Sequence, residues 1–517
     1  MIENPILRGF NPDPTIIRIG AEYYIATSTF EWWPGVCIYH SRDLKHWELH
    51  SHPLNRMSQL DMTGVPNGGG IWAPCLTYDG KTVYLVYTNV RERGPMMQNE
   101  NYLVTTDDIN GAWSEPVYLN SLGFDPSLFH DRNGKKWLLS LDNHYRKNQR
   151  FNGLFIQEYD PGQKKLTGET HRLYTEPHGE LVEGSHLYQF NDMYYLLKAQ
   201  GGTGPLHSAQ LSRSKNLLGP WEDCPFILLH SRDNPDLYIQ TAGHADLVDT
   251  PDGELYMVHL GTRRSSENHS IFGRETCIQK VEWTDDWWLK LSQGGQNPHR
   301  TVPMPQNTAV QGVAEKPQKY DFKKGRIDTA FQSLRLPLGD RAAFTENGLK
   351  LRGCDGLNSK FEQSLIARRI DSAHATITTK LLFEPEWEKH LAGLVFLYDT
   401  SHWHYLYVSR SNITDKKELN ILTCDNGKIQ YPLARTVEVA EHVPIELRGV
   451  INGAELQFAY CDGGGFVNIG APVDITILSD EHIFLGFTGA MVGICCQDLF
   501  RKEKCAEFEW FEYISDN

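Results

Sequence analysis

Over the first 300 residues the apolar and polar positions follow one repeated order. A distinctive residue leads, a small or turn-forming pair follows, then a short apolar strand, a polar turn and an aromatic-rich strand. The order appears as DPTIIRIGAEYYIAT from Asp13, WAPCLTYDGKTVYLVYT from Trp72, DPSLFHDRNGKKWLLSL from Asp125, EGSHLYQFNDMYYLLKA from Glu183 and HADLVDTPDGELYMVHL from His244. Two short strands around a polar turn form a β-hairpin, so five hairpins are predicted. Their lead residues are 53 to 61 positions apart, room for a four-stranded blade with its loops. A weaker echo, polar turns ending in tryptophan, marks the outer part of blades at Trp47, Trp113 and Trp221. The expectation is an all-β chain opening with a five-bladed β-propeller.

From about 296 to 320 the pattern stops, and QNPHRTVPMPQNTAVQGVAEKPQK reads as a connection rich in Pro, Gln and Asn. Alternating stretches then return, among them ATITTKLLF, LAGLVFLYD, WHYLYVSR and AEFEWFEYI, with short polar turns between them. They fit an antiparallel β-sandwich. The expected organisation is a propeller over 1–300, a linker over 301–320 and a sandwich over 321–517. Taken alone, such a sandwich also suits an independent carbohydrate-binding module.

Bulk properties narrow the partners. With 65 acidic and 50 basic side chains the formal charge is −15, which argues against nucleic acid and suits a neutral or cationic partner. No window of about 20 apolar residues occurs, so no membrane span is expected. The N-terminus shows no basic region followed by an apolar stretch of signal-peptide length. The ten cysteines are scattered, with no CxxC pair. A reduced, cytoplasmic protein is the expectation.

In a propeller the innermost strands line a central channel, and equivalent positions of successive blades converge on its axis. The lead residues Asp13, Trp72, Asp125, Glu183 and His244 are therefore expected to meet. Prolines on both sides of Asp13 are expected to hold its backbone extended and stiff. A lone Asp-Pro pair commonly just starts a turn, but three carboxylates in one repeat register suggest chemistry. Two carboxyl groups facing each other across a sugar can cleave a glycosidic bond, one protonating the leaving oxygen and the other activating water or attacking the ring. A neighbouring negative charge would keep the acid protonated near neutrality.

The segments NPDPTIIR, YYIATSTFEWWPG, GGIWAPCL, GFDPSLF, VEGSHLY, AGHADLV and FGRETCIQKVEW together resemble glycoside hydrolase family 43, in particular its two-domain β-xylosidases. The resemblance covers essentially the whole chain and implies inversion, with Asp13 as general base, Glu183 as general acid, and Asp125 tuning and orienting the acid. The repeat register separately selects Glu183 over Glu180. Inversion needs room for a water, so the two carboxyl groups should lie ~6.5–9.5 Å apart. The resemblance also implies Arg274 against the base and the sugar hydroxyls, Phe30 and Trp72 as apolar walls of the sugar pocket, and a substrate contact at Thr203. It further implies that a loop of the concanavalin-like sandwich closes the pocket, so that only a chain end is accepted.

Two positions depart from the family pattern: Met491 stands where relatives often present an aromatic ring, and Asn143 lies nearest to a tryptophan that is absent. No cofactor is required by this chemistry. His244 is read as axial and orienting, with calcium near it as an alternative. Large two-domain relatives commonly associate, which implies a homo-oligomer. The expected substrates are short xylo-oligosaccharides cut exo-wise at the β-1,4-linked non-reducing end. The rivals are α-L-arabinofuranosidase activity, main or secondary, a non-catalytic carbohydrate-binding propeller, and a retaining fructosidase.

Overall fold

The computed structural model describes residues 1–94, 96–142, 151–175, 180–307, 318–483 and 486–516. By internal contacts the chain divides into two compact units: residues 1–263 with 274–313, and residues 264–273 with 314–517. The segment around Asn143 and residues 308–317 of the connecting stretch lie outside the described residues. No helix among the described residues is long and apolar enough to cross a membrane.

The first unit is a five-bladed propeller. Its four-stranded sheets begin with the innermost strands Thr15–Ile19, Gly70–Tyr78, Ser127–His130, Val182–Phe190 and Gln240–Asp249. Each pairs antiparallel with the aromatic-rich strand that follows it, the register running Thr15 to Ala26 in the first blade and Ser127 to Leu139 in the third. The polar turns close with left-handed residues such as Gly20 and Asn191, as tight hairpins require. In the fourth blade a short extra strand, Leu229–His230, also pairs with the third strand, Ser208–Ser214. Inner strands are buried along most of their length, whereas the outermost strand of the third blade, Lys165–Tyr174, is largely exposed.

Among the described residues an apolar cluster lies between each pair of neighbouring blades and holds the ring together. Ile17 and Tyr24 pack with Leu76 and Leu85 between blades one and two, and Val86 and Leu103 with Leu128 and Leu138 between two and three. Leu139 and Ile156 meet Leu187 and Leu196 between three and four, and Leu197 and Leu211 meet Leu247 and Met257 between four and five. Ile16 and Ile25 meet Val248, Tyr256 and Val258, which closes blade five onto blade one. Each such aliphatic side chain removed from water contributes about 1.5–3 kcal/mol. The terminal pair Ile2–Glu3 and Thr301–Val302 adds a second closure.

The tryptophan echo has a more specific role than the sequence suggested. Trp47 of blade one packs into the cluster shared with blade five, Trp113 of blade two into that shared with blade one, and Trp221 of blade four against that shared with blade three. Trp288 of blade five, outside the echo noted in the sequence, likewise packs against blade four. Each indole thus fastens its blade to the preceding one.

The second unit is a β-sandwich. One sheet contains Cys505–Ser515 between Gly348–Arg352 and His374–Leu382; the other contains Met491–Asp498 between Ser364–Arg369 and His390–Asp399. Its core interleaves inward side chains of both sheets, such as Ile377, Leu447 and Phe511 with Leu394, Leu406 and Ile494.

Trp113→Ala should remove about 3–5 kcal/mol of propeller stability through the cavity left between blades one and two. Met96→Ala, at an exposed position, should change it by less than about 0.5 kcal/mol. Chemical denaturation of both variants checks this, and equal midpoints would contradict the fastening role.

Candidate active site

The inner strands aim a polar cluster at the propeller axis, where Ala73, Pro74, Asp125, Gly184, Ser185 and His244 line a narrow cleft. Asp13, Asp125 and His244 share a left-handed backbone, with φ of 52°, 51° and 48°. This corrects the extended backbone expected at Asp13. The ring of a following proline disfavours the right-handed helical region but leaves the left-handed one open, and Asp tolerates it. The shared turn gives the three side chains the same start toward the axis. Glu183 reaches the cluster differently: Gly184 after it carries the positive φ, 53°, and the strand is bulged between Glu183 and His186.

Gly184 cannot carry a side chain here. A methyl group on it would stand 2.6–2.7 Å from atoms of the His244 ring. Gly243 is equally confined, since a methyl there would come within 2.3 Å of the His207 ring. The two glycines let each imidazole pack directly against the backbone of the neighbouring inner strand.

The second blade departs from the expected alignment. Ala73-Pro74-Cys75 occupies the place of Asp13-Pro14-Thr15 and Asp125-Pro126-Ser127, with a register shift between Trp72 and Cys75. Trp72 therefore stands one residue before the lead position. Its indole donates to the Gly68 carbonyl at 2.9 Å, and its ring lies between Phe30 at 6.1 Å and Phe124 at 5.1 Å. Phe10, 5.7 Å from Phe30, extends this into an aromatic wall.

Asp13 is buried and tightly held. Arg274 Nη1 donates to its Oδ1 at 2.6 Å and Ser28 Oγ to its Oδ2 at 2.6 Å, while His244 Nδ1 stands 3.6 Å from Oδ1. The Arg274 guanidinium lies 5.4 Å from the centre of the Phe30 ring, which adds a cation–π contact. Asp125 accepts from the Gly184 N–H at 3.2 Å, so it acts on the acid's own strand rather than through a side-chain bond. Glu183 is buried, whereas Glu180 is exposed and accepts from Gln200.

The electrostatics separate the acids. Burial first, then the charge of Asp13, pushes the Glu183 carboxyl up to about 7, with Arg274 opposing. Burial, then Glu183 and Asp13, pushes Asp125 well above the ordinary carboxyl range, with Arg274 and the Gly184 N–H opposing. The sequence assigned the tuning of Glu183 to Asp125. The charge of Asp13 raises Glu183 as well, beside the tuning role that the resemblance implies for Asp125. Burial pushes His244 down to about 4 and His207 down to about 3, so both rings are neutral at pH 7.

Thr203 is half-buried in the loop between Met193–Gln200 and Ser208–Ser214, beside Gly202, whose carbonyl is 2.7 Å from His207 Nδ1. Met491 belongs to the second unit, where it opens a strand between Arg369 and Leu397. It has no accessible surface, so the expected thioether contact with a sugar is not made by this side chain as it stands. Sequence reasoning missed Ser28, His207 and Gly184. The glycine was findable, since a turn-forming residue, Pro14, Pro126 or Gly184, follows every lead acid; the other two carry no spacing signal. For calcium near His244, the nearest donors are one imidazole and an Asp13 already held by Arg274 and Ser28. That set is poor in oxygen for an ion that takes six to eight oxygen ligands.

A fixed carboxylate and a buried carboxyl poised near neutrality, at the mouth of a five-bladed propeller with an aromatic wall, define a hydrolase that cleaves glycosidic bonds. The chain belongs to glycosyl hydrolases family 43, which matches residues 2–289, while a beta xylosidase C-terminal concanavalin A-like domain matches residues 319–514. It is 44% identical over 527 residues to xylosidase/arabinosidase 43B of Humicola insolens, covering 99% of this chain and 97% of that protein. It is 40% identical over 531 residues to a beta-xylosidase of Bacillus subtilis, covering 99% of each. Among solved structures, xylan beta-1,4-xylosidase from Bacillus halodurans superposes over 100% of both chains with a TM-score of 0.97 and 43% identity.

Glu183 gives the pH dependence a definite sign. As a general acid it must be protonated, so kcat/KM should fall about tenfold per pH unit above about 7. Its native value lies above the ordinary 4.5, so the native state retains a proton that the unfolded chain releases. The resulting stability is complete below about 4.5 and is lost as pH rises through about 7. Glu183→Gln should remove both dependences, readable from pH–rate profiles and from denaturation at several pH values. Gly184→Ala should cost about 1–3 kcal/mol by crowding His244 and lower kcat, with a kinetic assay and a urea melt as the checks.

Proposed function

We propose that the protein is an inverting, exo-acting β-1,4-xylosidase that releases xylose from the non-reducing ends of short xylo-oligosaccharides. The observation that carries this reading is the division of labour between Asp13, bound by Arg274 and Ser28, and Glu183, buried and poised near neutrality. Asp13 takes the proton from an attacking water on one face of the sugar. Glu183 gives its proton to the leaving oxygen on the other. Asp125 positions the acid through the Gly184 N–H and, when neutral, adds no charge against it. Arg274 supplies donors for sugar hydroxyls beside the base, and the Phe30 and Trp72 rings cover the apolar face of the pyranose. The names of the similar proteins, two β-xylosidases and one xylosidase/arabinosidase, support the sugar.

The reaction needs no cofactor in this reading, since proton transfers between carboxyls and water complete it. Scattered cysteines with no CxxC pair support a reducing compartment, the cytoplasm. Arabinofuranosidase activity is kept as a secondary reading because of the dual name of the Humicola insolens protein.

Proton NMR of β-xyloside hydrolysis should show α-xylose first, and β-xylose first would mean retention. The kcat/KM for a nitrophenyl β-xyloside should exceed that for the α-L-arabinofuranoside, and the reverse order would replace the xylosidase assignment. Glu183→Ala should slow xylobiose hydrolysis by about 10²–10⁴-fold, but slow a nitrophenyl xyloside less, because a good leaving group needs little protonation. Asp13→Ala should impair both alike. Treatment with EDTA should leave kcat unchanged.

A further inference from the structure

The sandwich holds a cluster of metal-competent side chains that hydrolysis does not use. One donor atom from each of His402, Asp425 and His482 lies within 4.8 Å of the others. His402 opens the strand His402–Arg410 and Asp425 ends its antiparallel neighbour Lys417–Asp425, so the pairing of Trp403 with Cys424 places them side by side. His482 comes from the turn after the short helix Ile475–Leu478. Two consecutive strands and a distant turn thus bring two imidazoles and a carboxylate to one spot.

The surroundings prepare these groups as ligands. Asp399 Oδ1 lies 2.9 Å from His402 Nδ1 and also accepts from the Ser401 N–H at 2.7 Å. A carboxylate on one ring nitrogen fixes the tautomer and raises the basicity of the other, which is how metal-ligating histidines are supported. The freed Nε2 faces the Asn426 amide oxygen at 3.3 Å. That oxygen is oriented by the Asn426 amide N–H₂, which donates to Asp425 Oδ1 at 3.1 Å. Two acceptors facing each other call for a cation between them or a second proton on the ring. On the other side His482 Nε2 is 2.8 Å from Asp425 Oδ1, and the two imidazoles stand edge-on at 6.0 Å. His402 is buried, while the side chains of Asp425 and His482 are 29% and 27% exposed, which leaves an ion a way in.

We propose that His402 Nε2, His482 Nε2 and the Asp425 carboxylate form a site for a divalent transition metal ion, with Asn426 Oδ1 or water as the fourth ligand. Two nitrogens and a carboxylate favour zinc over calcium or magnesium, which take oxygen donors. Drawing the donors to zinc distances of ~2.0–2.2 Å needs only small side-chain movements. The ion ties the 425–427 hairpin turn to the turn carrying His482, so its role is to brace the sandwich.

The test uses the untagged full chain, stripped with chelator and dialysed, then titrated with Zn²⁺ by calorimetry and followed by thermal melting. Co²⁺ serves as a spectroscopic probe. The expected result is one site per chain with micromolar or tighter Kd, a higher Tm on loading, and the intense visible bands of four-coordinate Co²⁺. His402→Ala and His482→Gln should each weaken this site by at least 100-fold and abolish the Tm gain. Asp399→Asn, which touches no ion, should weaken it about 10–100-fold. Asn426→Asp should strengthen it, a gain that misfolding cannot produce. Absence of binding below millimolar Zn²⁺, which would leave His402 a doubly protonated ring between Asp399 and Asn426, overturns the proposal. So does undiminished binding in the histidine variants.

Discussion

The ion pair between Arg274 and Asp13 governs the chemistry of the propeller mouth. Each side chain is only 5% exposed, and they meet at 2.6 Å. Removing two charges from water is costly unless they are paired and further hydrogen-bonded, and Ser28 supplies the additional bond. One guanidinium cannot compensate three carboxylates. The remainder is resolved by proton binding: Glu183 and Asp125 are both driven toward their neutral forms. A like charge ~6–9 Å away in a medium of effective dielectric near 20 contributes about 2–3 kcal/mol, between one and two pH units. Because Arg274 opposes that effect, burial must supply a large share of the rise at Glu183. The acid is therefore made by where the chain places it.

Placing it requires a rigid frame. Left-handed backbone at Asp13, Asp125 and His244 carries strain of about 1–3 kcal/mol at each residue, offset by the five apolar clusters between blades. A polar layer beneath the site links the inner strands as well. Asp246 accepts from Thr15 Oγ1 at 2.7 Å, from the Ile16 N–H at 2.9 Å and from the Tyr188 hydroxyl, which joins blades five, one and four. Ser127 Oγ donates to the Ser185 carbonyl at 2.6 Å, joining three and four. With both layers fixed, the separation of the acids is set by the ring and not by loops.

The fold was readable because a hairpin is a local object. An apolar strand, a polar turn and an aromatic strand occupy fifteen or so adjacent residues, so five repeats survive in one dimension. The acids were readable because Asp13, Asp125 and Glu183 lead those repeats. What failed was non-local or one residue fine. Trp72 was taken as a lead residue although a register shift gives that place to Ala73. The backbone at Asp13 was expected to be extended because Pro14 excludes one conformation without selecting which remaining one is used. Met491 was expected to face a sugar, but its strand position buries it completely. Ser28 and His207 had no signature, because a hydroxyl that turns back on its own blade's acid and an imidazole that packs against the next blade leave no period in the sequence.

The aromatic wall bears on how far the sugar can be specified. Phe10, Phe30, Trp72 and Phe124 form consecutive ring contacts of 5.7, 6.1 and 5.1 Å. Phe10, Phe30 and Phe124 are buried behind the half-buried Trp72 ring; a ring so placed reads the C–H face of a sugar by shape, and a misfit of methylene size costs only about 1–3 kcal/mol. A pyranose and a furanose that present similar faces are then separated by roughly 10–200-fold at most from the wall alone. Larger discrimination must come from polar groups left unpaired by the wrong sugar, and Arg274, committed to Asp13 on one side, is the strongest donor placed to impose it. In the proposed reading the two pentoses are therefore distinguished by degree, because the same acid and base serve any glycosidic oxygen that reaches them.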